Sequence, residues 1–167
     1  MRIYVPATVA GLRRLLDDEQ LQPLSGTAFA LTPRLREAYA SGDDEELEYV
    51  AMSEAARASL RLLATELAED PSAPPRRAVV SADVDDVTLR PDLDDAVVRV
   101  AGPIPMARLA AVHLDLEEAG GAVRAAAAVV DAADLGDPDA EFTLGEAEDH
   151  ELAWYGVQEL PFVLELL

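Results

Sequence analysis

The residues in this chain that could do chemistry are almost all carboxylates. Asp134, Asp137, Asp139 and Glu141 crowd into one stretch, VVDAADLGDPDAEF (129–142), together with Asp131. Alternating carboxylates suit a hard divalent cation, because Ca²⁺ or Mg²⁺ is held by several oxygen ligands drawn from a short loop. The glycine that a calcium loop needs after its third ligand is missing, and so is the glutamate at its twelfth position. A solvated acidic loop is therefore the plainer reading, and the four residues stand as candidates for a metal site. Asp92, Asp94 and Asp95 form a second group, before a run of valines. Paired carboxylates can serve as acid and base, yet aspartate is also favoured in turns for its bonds to nearby backbone.

Two histidines complete the titratable set. His113 lies in an alternating segment, AAVHLDL (110–116), where a structural hydrogen bond is its ordinary role. His150 sits among acids in EAEDHELAWY (146–155), an arrangement that could pair an imidazole with a carboxylate. No motif places a nucleophile beside either one. The chain has no cysteine and no lysine. Thiolate nucleophiles, disulfides, Schiff bases and the usual phosphate-binding P-loop are thereby excluded. The glycine-rich dinucleotide fingerprint, the G-x-S-x-G elbow and the H-E-x-x-H zinc motif do not occur either. An enzyme is the less favoured reading.

The most distinctive segment is LAWYGVQELPFVLELL (152–167), which holds the only tryptophan. Tryptophan and tyrosine are enriched at binding hot spots. In a chain with only 5% aromatic residues the plainer reading makes Trp154 and Phe162 core anchors. Any exposed share of this segment marks a docking surface, for which His150, Glu151, Trp154 and Tyr155 are the candidates. Charge points the same way. The net charge is −20, and residues 111–167 alone carry −13. Phosphate-directed nucleic-acid binding needs a basic footprint, and anionic membranes repel such a surface. A basic protein partner is the expected ligand, and the oligomeric state is open.

The elements that must position these residues alternate between periods of two and 3.6. Strands are expected at RIYVP (2–6), TAFAL (27–31), AVVSADV (78–84), AVVRVA (96–101), residues 110–116 and the start of the last segment. Thr8 should cap a helix carrying Val9, Leu12, Leu15 and Leu16 on one face. Thr32-Pro33 reads as an N-cap followed by a proline at the first helical position. A long helix is expected from Asp43 or Asp44 to about Ala68, with a stripe of Leu47, Val50, Ala51, Ala55, Ala58, Leu62 and Leu67. An Ala-rich helix should span 117–133, residues 134–150 read as acidic turn, and a short helix closes the chain. Pro71, Pro74 and Pro75 mark a linker between lobes 1–70 and 76–167. The expectation is one α/β or α+β domain of 1–167, with a mixed sheet of five or six strands and helices packed on it.

Several stretches also resemble a known family. They are MRIYVPAT at the start, SGTAFALTPRLREAYASGDDEELEYVAM (25–52), RPDLDDAVVRVAGPI (90–104), VVDAADLGDPDAEF (129–142) and DHELAWYGVQELPFVLEL (149–166). Together they are similar to a family of short, acidic, uncharacterised proteins from high-GC Gram-positive bacteria. The resemblance implies a bacterial, cytoplasmic protein and carries over no activity, ligand or site. The absence of any signal-like or 18-residue apolar stretch leads to the same expectation of a cytoplasmic location. The functional expectation is a non-enzymatic interaction or regulatory protein that docks a basic partner through an acidic face. The alternatives are a metal-dependent enzyme using clustered Asp and Glu with a histidine, and a small-ligand-binding protein. No cofactor is expected beyond a divalent cation in the first of these.

Overall fold

A computed structural model describes residues 1–167. The chain forms nine strands: β1 (Arg2–Ala7), β2 (Gln20–Leu21), β3 (Thr27–Ala30), β4 (Ala78–Asp83), β5 (Val87–Leu89), β6 (Val97–Val100), β7 (Ile104–Pro105), β8 (Leu109–Leu114) and β9 (Ala153–Tyr155). Six α-helices accompany them: α1 (Val9–Asp18), α2 (Pro33–Ala38), α3 (Asp44–Glu69), α4 (Gly120–Asp134), α5 (Pro138–Glu148) and α6 (Leu160–Glu165).

Seven strands make one sheet in the order β5-β6-β3-β1-β4-β8-β9, while β2 and β7 pair as a separate ribbon. Every pairing is antiparallel. The sheet is thus larger than the expected five or six strands and is not mixed. The extra strand is β5, three residues inside what reads as a polar turn. The first strand of the chain ends up at the centre, paired with β3 on one side and β4 on the other. Strands from before and after the proline-rich segment 71–75 therefore share the sheet.

Alternation along the strands sends side chains to two faces. Ile3, Val5, Ala28, Ala30, Val80, Ala82, Val112 and Leu114 point to one, where Leu12 and Leu15 of α1, Leu160 and Leu164 of α6, and Leu21 and Ile104 of the ribbon cover them. Tyr4, Phe29, Val79 and Val97 point to the other, beneath Ala51 and Ala55 of α3. Alanine lets α3 lie close on the strands. Beyond the sheet, Leu60 and Leu63 of α3 pack against α4 and α5.

The helix caps follow local chemistry. The Thr8 hydroxyl accepts the Gly11 N–H, the Thr32 hydroxyl accepts the Leu35 N–H, and the Asp43 carboxylate accepts the Glu46 N–H. Asp137 caps α5 in the same way, with Pro138 at its start, so residues 138–148 are helix where the sequence reading expects an acidic turn. The stripe of α3 also differs from the expected one. After Ala55 the buried residues are Ala56, Ser59, Leu60 and Leu63, while Leu62 and Leu67 are only partly buried. The helix serves the sheet with its first half and α4 with its second, so no single stripe runs its length.

Two buried polar connections tie these layers together. Ser59, fully buried, donates to the Ala7 carbonyl at 2.7 Å and accepts the Ala78 N–H at 3.1 Å. It joins α3 to the end of β1 and the start of β4. Arg77, 3% exposed, forms a bidentate pair with Asp115, 1% exposed, at 2.8 Å through both Nε and Nη2. The Arg77 N–H also donates to Asp115 Oδ2 at 2.7 Å, and Nη2 reaches the His150 carbonyl at 2.7 Å. Replacing one partner strands a buried charge, which costs about 3–5 kcal/mol. Asp115→Asn should lower the free energy of unfolding by that order in a urea titration. An unchanged midpoint would show that the pair does not bear on stability.

Candidate functional site

The sheet face beneath α3 is not covered evenly. One cross-strand row on that face runs Val97, Phe29, Tyr4, Ser81, Ala111. Side chains fall from aromatic to small at Ser81, so the surface drops where the row crosses β4 and β8. The next row carries Val79, His113 and Trp154 in register, and the row on the other side carries Arg2 opposite Asp83. A register shift between Ser81 and Ala82 leaves Ala110 without a direct partner on β4. Such a bulge bends a strand locally and is common beside binding sites.

The result is an open groove of about 450 Å³ lined by Arg2, Tyr4, Ser81, Ala110, Ala111, His113 and Trp154 from the sheet, and by Glu45, Glu48, Tyr49 and Met52 from α3. Tyr49 and Met52 also line a smaller hollow of about 120 Å³ that contains Arg57, Arg77, Glu148, His150, Glu151 and Leu152. The two hollows thus meet along one side of α3.

Two aromatic side chains in the groove stand in solvent. Trp154 is 62% exposed and Tyr49 is 54% exposed. Phe162 is exposed as well, so neither Trp154 nor Phe162 is the core anchor that the sequence reading prefers. Alternation along β9 explains this: Ala153 and Tyr155 share one face, where Tyr155 packs on the α1–α6 core, and Trp154 takes the other. Of the four interaction candidates, His150, Glu151 and Trp154 therefore lie along the α3 side of the sheet, and Tyr155 does not.

The electrostatics are one-sided. Every arginine lining either hollow is held by a carboxylate: Arg2 by Asp83, Arg57 by Asp134 and Glu141, and Arg77 by Asp115. The carboxylates of Glu45, Glu48, Glu148 and Glu151 have no arginine partner. Across the whole chain eight of the 33 carboxylates are in ion pairs, which leaves 25 unpaired. Glu48 accepts the Tyr4 hydroxyl at 3.2 Å. Burial, and next the Glu48 carboxylate, push the Tyr4 pKa up to about 12. Burial, and next the Arg2 guanidinium, push the His113 pKa down, so its imidazole is neutral at neutral pH.

The metal candidates occupy different roles. Asp134 binds Arg57 and Arg61, and Glu141 binds Arg57, which draws both carboxyl pKa values down. Asp137 caps α5 and Asp139 lies in its first turn. No three His, Asp or Glu side chains converge as a metal site. A third, separate pocket of about 580 Å³ lies between α1, the far half of α3 and residues 20–25. There the Thr8 hydroxyl donates to Glu66 at 2.5 Å. Sequence reasoning missed Tyr4, Glu48, Tyr49 and Ser81. Their pairing spans tens of residues, and the only local signal was alternation in RIYVP.

These features define an antiparallel α+β domain with an acidic, aromatic-bearing groove beside its longest helix. The chain belongs to a family of unknown function (DUF6912), which matches residues 1–164. No curated protein and no solved structure matches it. No helix is long and apolar enough to cross a membrane.

The Tyr4 environment sets a pH signature. In the unfolded chain Tyr4 ionises near its ordinary 10.0, but in the fold it holds its proton to about 12. The unfolded state therefore releases a proton first, and stability is lost as pH rises through that interval. An ultraviolet titration should find one of the four tyrosines ionising late, and Glu48→Gln should bring it earlier. Four tyrosines titrating together in the folded protein would contradict the placement of Tyr4.

Proposed function

We propose that this protein is a non-enzymatic interaction or regulatory protein that docks a basic segment of a protein partner in the groove beside α3. One observation carries the reading: solvent-exposed Trp154 and Tyr49 share a groove with Glu45 and Glu48, whose carboxylates form no ion pair with an arginine. An aromatic surface within a field of one sign favours a partner of the opposite sign, chiefly by steering its approach and rejecting wrong partners. The net charge of −20 extends that field beyond the groove. The pairing of Asp134 and Glu141 with arginines weighs against the alternative of a metal-dependent enzyme, since ligation would first have to break those bonds. The 580 Å³ pocket at α1 is the feature that favours the small-ligand alternative, being of the size that encloses a metabolite.

Docking in the groove predicts a specific pattern of binding. Fluorescence anisotropy with basic, neutral and acidic peptides should show binding of the basic set alone. That binding should weaken steeply with added salt, because screening shortens the reach of charge from about 10 Å at 0.1 M to about 3 Å at 1 M. Neutralising Glu45 and Glu48 together as glutamines should weaken it about tenfold. The matched change at Asp139 and Glu146, exposed on α5, should alter it little. Equal effects from both pairs would mean that the net charge, not the groove, does the binding.

A further inference from the structure

We propose that the element seated in the groove is an arginine side chain of the partner, its guanidinium stacked on Trp154 and Tyr49 and paired with the Glu48 carboxylate. This rests on the docking reading above and adds the chemistry of the seat. Three observations support it. First, the base of the groove is made of Ser81 and Ala111, one cross-strand pair of small and almost fully buried residues beside the larger Tyr4. Second, two exposed aromatic side chains line the groove: Trp154 from the sheet edge and Tyr49 from α3. A flat cation lies well on such faces, because the negative face of the ring attracts it. Third, Glu48 is anchored by the Tyr4 hydroxyl through one oxygen, Oε2, which leaves Oε1 to accept from an incoming donor.

Nothing lining the groove offers an uncommitted positive charge to an anionic ligand. Arg2 is held bidentately by Asp83 at 2.8 and 3.1 Å, and His113 is neutral. An apolar side chain would leave Glu45 and Glu48 facing it without an ion-pair partner. Between the two basic side chains, the guanidinium fits better than an ammonium. It is planar and weakly hydrated, stacks on aromatic rings and forks onto a carboxylate, whereas lysine presents a compact and strongly hydrated charge. Surface ion pairs of this chain already show that geometry: Arg90 grips Asp92, and Arg61 grips Asp134, each through two nitrogens.

The single tryptophan makes the test direct, since all tryptophan emission comes from Trp154. Two peptides of equal length and net charge would be titrated into the full chain, one with arginine and one with lysine in a Gly-Ser background. Anisotropy of the labelled peptide reports binding, and Trp154 emission reports occupancy of the groove. The arginine peptide should bind about tenfold more tightly and shift Trp154 emission. In Trp154→Ala the preference for arginine should fall towards one while the weaker, salt-sensitive binding of the lysine peptide persists. Glu48→Gln should do the same, and circular dichroism would verify that both variants are folded. Equal, salt-sensitive binding of the two peptides would overturn the arginine seat and leave the docking reading standing. An arginine preference that survives Trp154→Ala would place the seat elsewhere and also overturn it. No binding of either peptide would overturn both.

Discussion

The ion pair between Arg77 and Asp115 holds three separate parts of the chain in one place. Arg77 immediately precedes β4, Asp115 immediately follows β8, and the His150 carbonyl that Arg77 also binds lies just before β9. Three neighbouring strands are thereby fixed in register from one end. The side chains are almost fully buried, where an unpaired charge would be costly, so the pair tolerates little movement of any partner. The geometry leaves a fork of two parallel bonds that defines direction as well as distance. Trp154 stands four residues beyond the carbonyl that Arg77 grips, and its position on the sheet follows from that anchor.

The groove is a consequence of what the sheet lacks. Where Phe29 and Tyr4 occupy a row, α3 can rest on them, and Ala51 and Ala55 close the gap. Where the same row continues as Ser81 and Ala111, the side chains are small and buried, and the groove lies over them. The helix keeps its course because its second half is engaged elsewhere, by Leu60 and Leu63 against α4 and α5 and by the arginines at 57 and 61. The acidic N-terminal turn of α3, with Asp44, Glu45 and Glu46, is favourable to the helix itself, because negative charge suits that end of its dipole. Helix stability and the acidity of the groove thus draw on the same stretch of residues.

Local signals in the sequence carried much of the fold. Thr8, Thr32-Pro33 and Asp43 each announce a helix start, and the structure has helices beginning just after each one. Asp137-Pro138 is the same signal, but the surrounding acids obscured it and the segment reads as a turn. Strand pairing was not legible, because RIYVP carries nothing to say that it will be central or that its neighbours begin at residues 27 and 78. The site suffered most from this. Trp154 was visible as an unusual residue, but its exposure depends on which face of β9 meets the core. Glu48 and Tyr49 read only as polar positions on a long helix, and Tyr4 only as one residue of an alternating strand. Their meeting with Ser81, Ala111 and His113 is set by sheet order, which no window along the chain contains.

Sheet order also has a meaning in time. Of the strands in this sheet the central one leaves the ribosome before its partners, one of which begins at residue 78, and the edge beside β8 is completed only by residues 153–155. During synthesis β1 must wait for more than seventy residues before both its sides are paired, and closing so long a loop is slow compared with forming a hairpin. Until β9 arrives, the β8 edge is bare and Trp154 is absent from it. The groove is therefore among the last features to exist, and a nascent or truncated chain would have most of the sheet without it.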